Sequence, residues 1–294
     1  MVGTSSSTLG FAVATHPTYA GELRLKVANT GARTTPAVTD WFGVLRLMRP
    51  LYLDDSGQLT YIIVNPGGAY FGEKYRMVID VEAGAHLLLS SQGATRIYRT
   101  PEEPAEQVID FTLESGSRLE YAPDQTIAYR DADYRQFTTV KAAPDAQGFF
   151  AEIVTPGWDP DGAPFTYTAM HLRFDVLTRD GERPVLVDNL RIKPDEIGEA
   201  LTGIGHMEGN SHMGSVFILG EHTQGAYIDQ VRDVVDSSGI GKVAVTAGHR
   251  HGVSWLLVRA LGRSTDDLHA MISAVNSLDR KTTTGQGLLD LRRY

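Results

Sequence analysis

From Glu22 to Ile192 polar and apolar residues alternate with a period of two, in short runs. Glu22-Leu23-Arg24-Leu25-Lys26-Val27 is the first, and Gln107-Val108-Ile109-Asp110-Phe111-Thr112-Leu113 and His171-Leu172-Arg173-Phe174-Asp175-Val176-Leu177 follow it. Successive side chains of a strand point to opposite faces, so each run predicts a strand with one buried face. Between the runs lie Asp54-Asp55-Ser56-Gly57, Glu82-Ala83-Gly84, Glu114-Ser115-Gly116 and Arg179-Asp180-Gly181. Gly accepts positive φ and Asp bonds its own backbone, which suits both to turns. No internal repeat is visible. Short strands with this punctuation predict a mainly β, largely antiparallel, meandering architecture.

After Pro194 the pattern changes. Residues 195–212 are rich in Gly, Glu, His and Asn and read as a loop. Tyr227, Ile228, Val231, Val234 and Val235 then fall on one face at helical spacing, as do Leu268, Met271, Ile272, Val275 and Leu278, with Ser264 placed to cap the second helix. Val243–Thr246 and Val253–Val258 read as strands between these two helices. The expected organisation is a flexible N-terminus over residues 1–20 and a single β-rich domain over 21–294, with a mixed α/β part from about residue 213.

Composition narrows the function. The chain has 294 residues, 42% hydrophobic and 21% charged, enough to bury a full core. A formal charge of −9 disfavours a protein that tracks phosphates along a nucleic acid. With no cysteine there is no thiol nucleophile, disulfide or thiolate metal site. No run reaches the roughly 20 apolar residues that span a bilayer. Residues 1–10 lack a basic segment followed by an apolar one, so a cytoplasmic protein is expected.

The glycine-dense stretch Asn65-Pro66-Gly67-Gly68-Ala69-Tyr70-Phe71-Gly72-Glu73 invites a phosphate-loop reading. Gly67 and Gly72 have that spacing, but Glu73-Lys74-Tyr75 puts the lysine one place late and a carboxylate where the anion would sit. A structural corner fits better, since Pro66 fixes φ and the glycines relax it. Asp159-Pro160-Asp161-Gly162 starts like a calcium loop, but its twelfth position is Met170 and not Glu, so it is a turn. No Gly-x-Ser-x-Gly elbow is present. His249 and His251, two apart, would share a face on a strand and could chelate a metal. His206 and His212, with Glu208, form a looser set. Glu152, in Phe149-Phe150-Ala151-Glu152-Ile153-Val154, shares its face with Phe150 and Val154; it either meets a polar cavity or lies at a solvent-facing edge.

Three blocks taken together resemble the urease accessory protein D family, called H in some systems. They are Asn65-Pro66-Gly67-Gly68 with Gly72-Glu73; Ser91-Gln92-Gly93-Ala94-Thr95-Arg96-Ile97-Tyr98-Arg99; and Leu119-Glu120-Tyr121-Ala122-Pro123-Asp124-Gln125-Thr126-Ile127. Asp188-Asn189-Leu190-Arg191, Leu257-Val258-Arg259-Ala260-Leu261-Gly262 and the terminus Arg292-Arg293-Tyr294 extend the likeness over about residues 20–294. The family commonly has Gly-Asp where this chain has Gly72-Glu73. The resemblance implies a mostly β fold of stacked sheets with a couple of helices, and a non-enzymatic scaffold that binds urease apoprotein and the accessory F protein and, through F, the GTPase G, and that assists nickel insertion. It implies no tightly bound cofactor, only nickel in transit, for which Glu152, Asp188, His206, His212, His249 and His251 are candidate ligands. Asn65, Pro66, Gly67, Gly68, Gly72, Gln92, Thr95, Tyr98 and Arg99 are then structural or interface residues. The competing expectation is a metal-dependent β-rich hydrolase built on His249 and His251, and it would bind metal tightly.

Overall fold

The computed structural model describes residues 19–64, 69–287 and 289. The expected N-terminal tail up to residue 18, the motif residues Asn65, Pro66, Gly67 and Gly68, and the terminus Arg292-Arg293-Tyr294 lie outside the described residues.

Alternation dictates strands, and the strands coil. The chain runs through β1 (Gly21–Asn29), β2 (Thr34–Phe42), β3 (Arg46–Leu47), β4 (Leu59–Val64), β5 (Ala69–Tyr70) and β6 (Lys74–Val81). It continues through β7 (His86–Ser91), β8 (Thr95–Ile97), β9 (Ala105–Leu113), β10 (Arg118–Tyr121), β11 (Thr126–Ala128), β12 (Asp133–Ala142), β13 (Gln147–Val154), β14 (Ala169–Thr178) and β15 (Pro184–Ile192). One sheet has the order β15-β14-β12-β9-β6-β1-β2. The other begins from β3 as β3-β4-β7-β10-β13, and a short strip β5-β8-β11 joins it at β13. From β6 to β14 the long strands therefore alternate between the sheets, and each circuit lays one new strand beside the last.

The expectation of stacked sheets in a mainly β protein is met; the pairing is not the antiparallel one expected. β1·β6, β6·β9, β9·β12 and β12·β14 are parallel, as are β4·β7, β7·β10 and β10·β13. The reason lies in the corners. Glu82-Ala83-Gly84 does not fold β7 back against β6; it delivers the chain to the opposite sheet. The crossover that parallel neighbours require is then the whole strand on the other side. Corners stack through backbone bonds, Gly84 N to Ser115 O at 3.0 Å and Gln147 N to Ser117 O at 2.8 Å. A structural repeat exists with no sequence repeat to announce it.

Parallel stacking aligns the apolar positions. Leu25, Ile79, Phe111, Val140 and Val176 form one row across the first sheet, all buried. Tyr61, Leu89, Tyr121 and Phe150 form the matching row opposite. Between the sheets Phe174 stacks flat on Phe217 with centroids 4.0 Å apart.

The C-terminal part is antiparallel: its strands extend the second sheet beyond β13, and its helices cover that sheet's outer face. After α1 (Pro194–Ile197) comes β16 (His212–Leu219), which pairs with β13 and β18 (Val253–Gly262); β17 (Lys242–Arg250) closes the edge. The sequence pattern did not predict β16, because Met213–Leu219 is apolar on both faces and carries no alternation. α2 (Ala226–Ser237) and α3 (Thr265–Thr284) confirm the two expected helices, and the Ser264 hydroxyl accepts from Asp267 N at 3.1 Å as a cap. Tyr227, Val231, Val235, Leu268, Met271 and Val275 pack on Phe149, Ala151, Ile153, Val216 and Ile218 as a second core.

Candidate functional site

The alternation that sends Phe150 and Val154 into the inter-sheet core sends Glu152 there too. Its Oε1 accepts from Gln136 Nε2 of the opposite sheet at 2.7 Å. Gln136 pairs in register with Gln107, and the Tyr134 hydroxyl donates to Gln107 Oε1 at 2.8 Å. On Glu152's own sheet the row continues through Ser215 to Arg259. Arg259 Nη2 donates to Asp188 Oδ1 at 2.6 Å, a pair that joins the two sheets. A polar strip thus crosses the apolar interior from Gln107 to Asp188.

A cavity of about 20 Å³, room for roughly one water, lies beside Glu152 and is lined by Thr95, Gln107, Tyr121, Asp124, Thr126 and Gln136 among others. Burial pushes the Glu152 carboxyl up to about 7; Arg259 and the Gln136 hydrogen bond oppose that rise and Asp188 adds to it. Of the two sequence readings of Glu152, the cavity reading holds. Motif residue Thr95, far away in sequence, meets it there.

The histidines go elsewhere. His249 lies near the end of β17 and shares a 2.9 Å contact with Ser254 Oγ, while His251 sits in the following turn at φ 52°. The shared strand face expected of the pair is absent because the strand ends between them. His206 is exposed in a loop, and His212 Nδ1 meets Ser211 Oγ at 2.8 Å. Glu208 turns to Lys242 at 2.7 Å. Among the described residues no three His, Asp or Glu side chains converge as a metal site. Asp159 and Asp161 are clamped by Arg130, which holds Asp159 down to about 2, so this segment is the expected turn.

The motif residues build the coil's third side. A Cβ on Gly72 would come within 2.4 Å of Glu103 O, so only glycine fits. Tyr98 stands in a ladder Phe71–Tyr98–Tyr129–Trp158, one ring per coil, with centroids 5.2, 4.7 and 4.9 Å apart. Arg99 is exposed and only loosely paired with Asp131 at 3.6 Å, and Gln92 is exposed.

Sequence reasoning missed a second polar assembly on the outer face of the second sheet, under α3. Arg118, Glu120, Asp279 and Arg280 are all at most 1% exposed. Arg118 donates to Asp279 at 2.7 Å and Arg280 to Glu120 at 2.6 Å. Arg280 reaches on to Gln58 and Asp54, and Asp279 receives His222 and Tyr227. Burial acts to raise the Asp279 carboxyl, but Arg118 and His222 outweigh it and hold it below its ordinary value. The run Arg118-Leu119-Glu120-Tyr121 alternates charged and apolar residues as a half-exposed strand does, yet all four are buried, so this assembly has no local signal in the sequence.

These features define a β-rich scaffold of parallel coils with a polar strip through its core. The family model described as UreD urease accessory protein matches residues 19–292. Curated relatives named urease accessory protein UreD include one from Arthrobacter sp. (strain FB24), 42% identical over 93% of this chain and 94% of its own length. Others are from Actinomyces naeslundii, 41% identical over 93% and 98%, and Corynebacterium glutamicum (strain R), 34% identical over 93% and 98%. The chain belongs to the UreD family of urease accessory proteins. It serves urease maturation, the assembly of the nickel metallocentre, and is not itself a catalyst.

Proposed function

We propose that the chain is the scaffold on which urease apoprotein and the accessory F protein assemble, with the GTPase G joining through F. Nickel, as cargo, passes along the strip between the sheets. The observation that carries the reading is Glu152: a largely buried carboxylate whose one hydrogen-bonding partner across the interior is a neutral amide, beside a cavity. A group that ionises near 7 can take up a cation in exchange for a proton and release it again. One carboxylate among amides and hydroxyls holds a divalent ion weakly, as a transit position must. Asp188, paired with Arg259 at the far end of the strip, is the second candidate.

The test co-expresses the chain with the urease subunits and the F and G proteins. Omission of the chain is expected to abolish urease activity, and the wild-type chain to co-purify with F. Glu152→Ala and Asp188→Ala are expected to keep that co-purification while lowering nickel per urease at least threefold. Full nickel loading in both variants overturns the route; loss of F binding by the wild type overturns the scaffold reading.

A further inference from the structure

Of the eleven large hydrophobic residues that stand exposed among the described residues, seven fall between Val38 and Leu53: Val38, Trp41, Phe42, Met48, Leu51, Tyr52 and Leu53. They gather where the coil begins, since β2 is the last strand of one sheet and β3 the last of the other. β2 is exposed from Pro36 through Phe42 on both faces, and its outer edge pairs with no described strand. A terminal repeat of a stacked fold normally presents a polar outer face. The other terminal strands come closer to this: β15 exposes Pro184, Asn189 and Arg191 beside a single Val187, and β17 exposes Lys242 and Arg250. In β2 Pro36 interrupts the edge, and residues 37–42 pair with no described strand besides β1.

Charge decides what fits. In a chain whose net charge is −9, residues 31–55 carry Arg33, Arg46 and Arg49 against Asp40, Asp54 and Asp55, and Asp54 is taken up by Arg280. Arg33 lies over the Tyr52 ring at 4.8 Å, while Arg46 and Arg49 are exposed and engaged by no ion pair among the described residues. Two copies meeting through this face would set arginines against arginines. Residues 1–18 contain no acidic side chain, so they do not complement it either.

We propose that the open end of the coil, the edge of β2 with Trp41, Phe42, Arg46 and Arg49, is a docking surface for an extended acidic–apolar segment of another protein. The segment adds to β2 as a further strand. Main-chain bonds to the β2 edge give affinity, alternate apolar side chains cover Trp41, and carboxylates meet Arg46 and Arg49. This goes beyond the transit strip, does not depend on it, and stands on the fold alone.

A random twelve-residue peptide library displayed on phage and selected against the full chain tests this. Enriched peptides are expected to alternate β-branched residues with Asp or Glu. Anisotropy of a labelled enriched peptide should show at least tenfold weaker binding to an Arg46→Glu/Arg49→Glu variant, and the same loss when its central residue is replaced by proline. Trp41 lies in the surface, so tryptophan emission should shift to the blue on binding and stay fixed for Trp41→Phe. These substitutions lie on exposed positions, and an unchanged thermal melt checks the fold. Basic or neutral consensus peptides, or binding indifferent to the double variant, overturn the proposal. So does a dimer in sedimentation that the same variant dissolves.

Discussion

At Glu152 a carboxyl with an ordinary value of 4.5 is pushed to about 7 by burial between two sheets. Between those values the folded chain binds a proton that the unfolded chain has released, so stability falls as pH rises through the window. The effect is absent below 4.5 and complete above 7. Glu152→Gln removes the ionisation while keeping a hydrogen-bonding side chain opposite Gln136. Urea unfolding should therefore show the variant gaining on the wild type by up to about 3 kcal/mol between pH 5 and pH 8. Gly72→Ala, with its Cβ driven toward Glu103 O, should lower stability by about 2 kcal/mol in the same assay. Glu152 could be picked out from sequence because alternation placed a carboxylate in register with Phe150 and Val154. What it meets, Gln136 and Thr95, lies on other coils and leaves no local trace.

Helix α3 is held at two levels. Its apolar stripe packs on the second sheet, and its next turns bring Asp279 and Arg280 into the charged assembly around Arg118 and Glu120. Removing one member of a fully buried ion network leaves its partners charged and dry, so Asp279→Ala is expected to cost about 3–5 kcal/mol. Ser264→Ala, which removes only the cap, is expected to cost about 1 kcal/mol. Thermal melts of the two variants should rank in that order. Both helices, the cap and the β17–β18 hairpin could be read from periodicity, because a 3.6-residue stripe is a local property. Strand pairing could not. Alternation in β6, β9 and β12 is the same whether a neighbour runs parallel or antiparallel, and Glu82-Ala83-Gly84 looks like a hairpin turn until the destination of the next strand is known. β16 escaped because a strand covered on both faces has no period to read.

Over the whole molecule, stacked coils make each strand depend mainly on its neighbours, whereas the Arg280 contacts tie the last helix to the beginning. Arg280 bonds Gln58 and Asp54 across 222 and 226 residues of sequence. A chain ended after Gly262 should accordingly appear in the pellet and not in the soluble fraction, since the outer face of the second sheet then presents Phe149, Ile218 and an unmatched Arg118–Glu120 pair. For a ribosome this has a direct meaning. The coils can stack as they emerge, but the seal over them is translated only after every strand. A message cut short after the codon for Gly262 therefore does not yield a slightly smaller helper; it yields a product that the cell's quality control can recognise as unfinished.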